Sequence, residues 1–421
     1  MGVTSVLARW ASTSVHVLIV EVPGWDESRM LLEAELDRRG WRVALSPADA
    51  DLLAVCGMPG EELRAAFDLL WNQLPGPRTR VSVTTSVALS ALLDAAVAHL
   101  VDDSRQRKDA RARSRPAAAE DQRPDAGEHD GMDHGGMDHG GMDHGGVDHG
   151  GMDMPMPGGI PLAGGGDDRD GLEMDVLNVP LGPVLPHWPA GLVVDCVLQG
   201  DVIVSAKARV LEAASAPKDE PTTAVTDVAG RRIIRLCDDA SNLLALAGWQ
   251  TAAQNARRLR DDALRGADIA DHAAALDRLR RRVERSVLLR WSLKGISLKG
   301  ISLNEISLKG ISLDEIPLKE IGLAAGARAN TGNATPPDQA TVDIRHRLIG
   351  WLREAAVLAG PSSGTQPPAA SDSDRARQAQ LALAALPELL RGTDLGTARL
   401  LIAGLGLDTA ALAQTHEQTH E

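Results

Sequence analysis

The segment from Ala48 to Val83 constrains this chain more than any other. Asp51–Cys56 (DLLAVC) is a short apolar run, Gly57 a break, and Glu61–Leu74 a stretch with apolar residues at helical spacing. Pro75-Gly76-Pro77 is a stop signal, and Arg80–Val83 is a second short apolar run. Short apolar runs bounded by turn residues suit strands buried on both faces, and a helix between two of them makes the strands parallel. Residues 14–22 (SVHVLIVEV) supply another such strand, ending at Pro23-Gly24. Asp26 is placed to cap the helix that follows, whose apolar positions are Met30, Leu31, Leu32 and Leu36. Gly40 ends it, Trp41–Leu45 reads as a short strand, and a helix is expected from about Val87 to Leu100. The pattern predicts a doubly wound α/β domain over residues 1–101, its parallel sheet covered on both faces. Sites in such sheets lie at the carboxyl ends of the strands, here Pro23–Glu27, Gly57–Gly60 and Thr84–Ser86.

The 421 residues are enough for two or three domains. Aromatic residues are 2% of the chain, with no tyrosine and Phe67 as the single phenylalanine, so the cores must be built from Leu, Val, Ile and Ala. A net charge of −14 argues against a nucleic-acid partner. The three cysteines, Cys56, Cys196 and Cys237, lie far apart within apolar or helical patterns, which suggests buried free thiols in a reducing compartment. The first residues lack a basic region followed by a long apolar run, and Val81–Val101 is too polar for a membrane span. The expectation is a cytoplasmic protein, able to sit peripherally on the inner face of the plasma membrane.

Residues 102–170 turn to Arg, Asp, Pro and Gly and read as a disordered linker. It carries a five-residue repeat in which Met132, His134, Met137, His139, Met142, His144, His149 and Met152 recur around aspartates and glycine pairs. Residues 171–291 read as an α+β unit: a small hairpin sheet (Leu192–Leu198 and Val202–Val210 around Gln199-Gly200-Asp201), then a helical bundle. Its helices are expected at Arg231–Leu246, Thr251–Arg265 and Ile269–Arg290, separated by Gly248 and Gly266. Residues 292–323 repeat Ile-Ser-Leu-Lys-Gly with a period of five. That period suits a pentapeptide-type coil, here little more than one turn, inserted into the fold. Residues 324–421 return to helices of the second domain, near Val342–Leu358, Arg375–Leu390 and Gly396–Leu405.

The frame from Ala48 to Val83 resembles the second half of the small electron-transfer subunit (the 20 kDa-type subunit) shared by respiratory complex I and nickel–iron hydrogenases. That family runs from Ala-Asp-Val-Leu through a strand, a glycine and a helix to Asp-Gln-Met-Pro-Glu-Pro; this chain closes the frame with Asn72-Gln73-Leu74-Pro75-Gly76-Pro77-Arg78. Residues 178–204 (NVPLGPVLPHWPAGLVVDCVLQGDVIV) resemble the opening of the 49 kDa-type subunit, the relative of the hydrogenase large subunit. Gly182-Pro183, Pro186 and the Gly200-Asp201-Val202 turn fit that pattern, and LCDDASNLLALAGW and AALDRLRRRVERSVLLRW resemble part of its helical bundle. Together the two resemblances span about half of the chain. They imply a fused subunit of a complex I-like membrane oxidoreductase, with the other subunits of that complex as partners. They imply quinone as the ligand and NADH–quinone oxidoreduction as the reaction of the whole assembly.

The resemblance also implies an iron–sulfur cluster, and there the chain departs from the family. A four-iron cluster needs about four thiolates converging on it. The loops that would supply them here are Pro23-Gly24-Trp25-Asp26-Glu27 and Thr84-Thr85-Ser86. No cofactor is therefore expected in this chain, and Trp25 is placed to fill the space of the cluster. No paired Cys-x-x-Cys motif exists for a nickel–iron centre. The family's two quinone-site histidines fall on Leu185 and near Pro189, which leaves the neighbouring His187 as the quinone-site candidate. The leading expectation is a degenerate subunit with a structural or assembly role; the alternative is an active quinone-binding subunit that uses the redox centres of partner chains.

A reading from another class starts from the Met-Asp-His repeat. Thioether and imidazole suit Cu(I), and imidazole also suits Cu(II) or Ni(II), so the linker could bind copper or nickel; the plainer reading is low-complexity sequence. Arg278, Arg280, Arg281, Arg282 and Arg285 could meet anionic lipid or an acidic subunit, or form a solvated helix face paired with Asp277 and Glu284. His16 reads as a core or strand-end histidine rather than a catalytic one.

Overall fold

In the computed structural model, the described residues are 14–84, 88–114, 164–167, 173–215, 228–266, 269–298, 342–360 and 372–412. The first half alternates strands and helices as its periodicity demands: β1 (His16–Glu21), α1 (Asp26–Arg39), β2 (Arg42–Val43), β3 (Leu52–Cys56), α2 (Glu61–Gln73), β4 (Thr79–Val83) and α3 (Leu89–Val101). The strands pair in parallel in the order β2-β1-β3-β4. Side chains alternate across the sheet. Val17, Leu52, Ala54 and Val81 pack against Leu32 and Leu36 of α1 and Leu93 of α3. Leu18, Val20, Leu53 and Val55 pack on the other face against Leu63 and Phe67 of α2. Each large apolar side chain buried in this way contributes about 1.5–3 kcal/mol.

Three local expectations need correction. Asp26 does not cap α1; Trp25 holds the cap position, and Asp26 lies in the first turn, where the helix dipole favours its charge. The strand expected at Trp41–Leu45 is only Arg42–Val43. The linker does not begin at residue 102, because α4 (Asp103–Arg113) continues the first half. No residue of α4 is buried, so hydrophobic periodicity could not reveal it. Polar contacts fix it instead. Asp102 caps its start, accepting from the Ser104 and Arg105 amides. Gln106 brackets the backbone of Arg78 and His99, and the Arg78 guanidinium lies 3.0 Å from Asp109 and stacks on Trp71.

In the second half, β5 (Gly164–Asp167), β6 (Glu173–Leu181), β7 (Leu192–Gln199) and β8 (Val202–Val210) form an antiparallel sheet in that order, two strands wider than the expected hairpin. A helical layer follows: α5 (Val228–Leu246), α6 (Gln250–Leu264), α7 (Ile269–Arg285), α8 (Val287–Ser292), α9 (Ile344–Leu358), α10 (Asp372–Leu390) and α11 (Leu395–Leu405). The single helix expected over Ile269–Arg290 is two, because the Ser286 hydroxyl accepts from the Leu289 amide and starts a new helix. β9 (Ser297–Leu298) pairs with β10 (Val342–Asp343). Most of the pentapeptide-type repeat, from residue 299 onward, lies outside the described residues. No helix among the described residues is long and apolar enough to cross a membrane.

Strand β7 joins the two halves. Leu192, Val194, Cys196 and Leu198 face the helical layer, packed with Leu236, Leu243, Leu348 and Leu401. Val193 points the other way, into the core formed by Leu18, Val55 and Phe67. The backbones also meet: Gly60 donates to Glu212 O at 3.2 Å and Ala214 donates to Met58 O at 2.9 Å.

Candidate functional site

The carboxyl ends of β1 and β3 are where an open parallel sheet ordinarily holds its ligand. Here Trp25 follows β1 and lies 6% exposed over Gly57, the turn after β3. Gly57 has φ +106°, and a Cβ on it would lie 2.4 Å from Trp25 Cγ, so the indole packs directly against bare backbone. Thr84 begins the loop after β4; Thr85 and Ser86 lie outside the described residues. Cys56 is the last residue of β3 and is buried in the core beneath α1 and α3, where burial pushes its thiol well above the ordinary range. Cys196 and Cys237 lie in the other core, pushed up to about 11 and about 12 by burial. Three protonated thiols, split between two apolar cores, do not fit the roughly four thiolates of a four-iron cluster.

Beside this filled crevice the two halves are joined by buried charge. Arg29 of α1 lies at the centre: its guanidinium reaches Glu21 at 2.5 Å, Glu33 at 3.0 Å and, across the junction, Asp238 of α5 at 2.7 Å. Arg260 of α6, 1% exposed, answers from the other side, contacting Asp238 at 2.6 Å, Glu33 at 2.8 Å and Asp261 at 2.7 Å. Arg257 stands 3.7 Å from Glu33. A buried pair of this kind is strongly coupled, because loss of one partner strands the other without water.

Three guanidinium groups thus face four carboxyls, and the excess shows in the titration. Burial alone would push Glu33 up, but Arg29, Arg260 and Arg257 outweigh it and hold the carboxyl far below its usual range. Asp238 is likewise held down against burial by Arg29 and Arg260. Glu21, with only Arg29 to offset its burial, is pushed up to about 7. Asp239, next to Asp238 on α5, is also raised to about 7, by burial first and by the Asp238 charge second.

Glu21 and Asp239 both border a cavity of about 420 Å³ between the halves. Its other walls come from Leu18 and Met30 of the first half and from the 183–190 loop and the end of α11 in the second. His187 lines it, held at φ +58° with Nδ1 3.1 Å from Asn242 Oδ1. Burial, partly opposed by that contact, moves His187 below its ordinary range. The loop is fixed by Trp188, whose indole N–H donates to Leu192 O at 2.7 Å, and by Gly182, where a Cβ would lie 2.2 Å from the same carbonyl. Beside the imidazole, the Asn242 amide and the apolar walls, the lining includes the charged Arg29, Glu33, Arg235, Asp238 and Arg257, so the cavity suits a partly polar molecule.

Of the quinone-site and metal candidates singled out from sequence, His187 alone lines this cavity. His16 sits at the start of β1, its Nδ1 3.0 Å from Asp49 Oδ1. Met132, His134, Met137, His139, Met142, His144, His149 and Met152 lie outside the described residues, among which no cluster of His, Cys, Asp or Glu is arranged to hold a metal. Sequence reasoning missed Glu21, Arg29, Glu33, Asp238, Asp239, Arg260 and Asp261. The one local signal was the Arg29–Glu33 spacing of four on a helix otherwise read for its leucines. No protein-family model, curated protein or solved structure matches the chain.

Proposed function

We propose that the chain is a fused, cluster-free relative of the two subunits that meet at the electron exit of complex I-like membrane oxidoreductases, and that its role there is structural, holding partner subunits in register. The observation that carries this reading is the filled crevice: Trp25 packs on Gly57 where a cluster loop would lie, and the cysteines lie buried in the cores. A junction with buried ion pairs and a shared core suits a scaffold. Its place in the cell is the cytoplasmic side of a membrane, as a peripheral chain. The test is purification from membranes with associated proteins, followed by iron and acid-labile sulfide analysis. Membrane subunits of an oxidoreductase without iron in this chain are expected; a reducible four-iron signal belonging to it sinks the reading.

A second reading is favoured by the cavity. It places a quinone-class molecule beside His187 and Asn242, with Glu21 and Asp239 exchanging protons and partner chains supplying the electrons. Titration with a short-chain quinone analogue, followed by tryptophan fluorescence, should give saturable quenching through Trp188. His187→Ala should weaken it roughly tenfold, the effect of one lost hydrogen bond to a buried polar group. Unsaturable quenching, or no change in the variant, removes quinone from this cavity.

A further inference from the structure

One face of the second half is used neither by the junction nor by the cavity. Arg278, Arg281, Arg282 and Arg285 recur on α7 at spacings of three and four, so they share one side of the helix, and all four are exposed. Two carboxylates of that helix are engaged: Arg280 holds Asp277 and Glu284, each at 2.6 Å, and Arg281 holds Asp277 at 2.9 Å. Among the described residues Arg278, Arg282 and Arg285 have no carboxylate partner, and Arg282 lies over the Trp249 ring. The helix is therefore only partly the paired, solvated face expected from its sequence. Positive charge is concentrated here on a chain whose net charge is −14.

Directly after Arg285 comes α8, anchored inward by Leu289 and by the following Leu293. Its outward side is apolar: Val287 is 59% exposed, Leu288 80% and Trp291 74%. Of the ten most exposed large apolar side chains among the described residues, three fall in this six-residue helix. Arg290 and Lys294 flank them, both exposed and without a carboxylate partner among the described residues. Chain geometry alone keeps Arg285 within about 11 Å of Leu288, so the charge and the apolar residues form one patch.

We infer that α7 and α8 form a docking surface for an anionic lipid bilayer, with Leu288 and Trp291 entering the headgroup layer and the arginines meeting lipid phosphates. A soluble anion would satisfy the arginines and leave Leu288 and Trp291 in water; a bilayer satisfies both. Tryptophan favours the membrane–water boundary, and guanidinium forks match phosphate oxygens. Basic residues beside shallowly inserted apolar ones give reversible, salt-sensitive binding of this kind. The inference deepens the peripheral placement proposed above, but its test uses neither the cavity nor partner subunits, so either can fail alone.

The experiment is co-sedimentation of the full chain with vesicles of phosphatidylcholine alone and with vesicles containing an equal part of phosphatidylglycerol. Binding is expected only to the anionic vesicles, and it should weaken with added salt. Arg282→Gln with Arg285→Gln, and separately Leu288→Ser with Trp291→Ser, should each lower partitioning by roughly tenfold or more. The same exchange at Arg64 and Arg105, exposed on the first half, should leave it unchanged. Circular dichroism confirms that each variant is folded. Absence of sedimentation, equal binding to neutral vesicles, or indifference to either patch variant overturns the proposal. Binding to soluble polyglutamate that survives Leu288→Ser with Trp291→Ser also overturns it, in favour of an acidic protein partner.

Discussion

The second half carries two groups of arginines on consecutive helices, and they behave as different residues. Arg257 and Arg260 of α6 point into the junction, where Arg260 is 1% exposed and bound to three carboxylates. Arg278, Arg282 and Arg285 of α7 point out, with no carboxylate among the described residues to meet them. The guanidinium is the same in both places; burial and partners differ. Inside, each charge is held by geometry and its removal leaves stranded opposites. Outside, each is solvated, and its removal alters only what the surface attracts.

The sharpest way to break this contrast is Arg260→Ala. It leaves Glu33, Asp238 and Asp261 buried with a cation missing, and a loss of about 3–5 kcal/mol is expected in chemical denaturation. A loss under about 1 kcal/mol would mean that water replaces the guanidinium and that the junction is not dry. A double-mutant cycle on Arg29→Ala and Asp238→Ala comes next. Because the pair bridges the halves at 2.7 Å, a coupling of up to about 3 kcal/mol is expected, whereas independent halves would give additive effects.

The third test is pH. Glu21 and Asp239 keep their protons to about pH 7 in the fold, while the unfolded chain releases them in the ordinary carboxylate range. The fold then holds more protons than the unfolded chain between roughly pH 4 and 7, so these groups make stability fall as pH rises through that window. Glu33 and Asp238, held below their usual range, act oppositely: their contribution is present above that range and is lost on acidification below it. Melting temperature should therefore decline from about pH 5 to 7 and level off above. Glu21→Gln should shrink the fall in unfolding free energy across that window by about 2 kcal/mol or less, since the side chain keeps 18% of its surface exposed. The smallest effect belongs to the outer group: Arg282→Gln with Arg285→Gln should change unfolding free energy by no more than about 0.5 kcal/mol.

The contrast also marks what could be read from sequence. Strands β1, β3 and β4 and helices α1 to α3 were legible because burial imposes a period, and Leu32, Leu36, Leu63 and Phe67 display it. Helix α4 was not, since its hold on the first half is Gln106 and Asp109 rather than an apolar stripe. Strand β6 was hidden by Asn178 and Pro180 in its interior. His187 could be singled out because the surrounding Gly-Pro pattern resembles a family with histidines nearby. The ion network could not be, because its partners lie far apart in the chain: Arg29 and Asp238 are 209 residues apart, Glu33 and Arg260 are 227. Composition reports that such residues exist; only the fold pairs them.

That separation has a consequence for how the molecule is made. Synthesis runs at about 5–20 residues per second, so the first half, which ends with α4 at Arg113, emerges roughly 7–30 s before Arg260 does. Through that interval its docking edge is exposed, carrying Glu21, Arg29 and Glu33 among the apolar residues, Met30 included, that the second half later covers. A nascent domain waiting with a greasy edge invites aggregation; one waiting with a hydrated, charged edge stays in solution until its other half arrives. The ion pairs at the junction thus let the newborn chain wait.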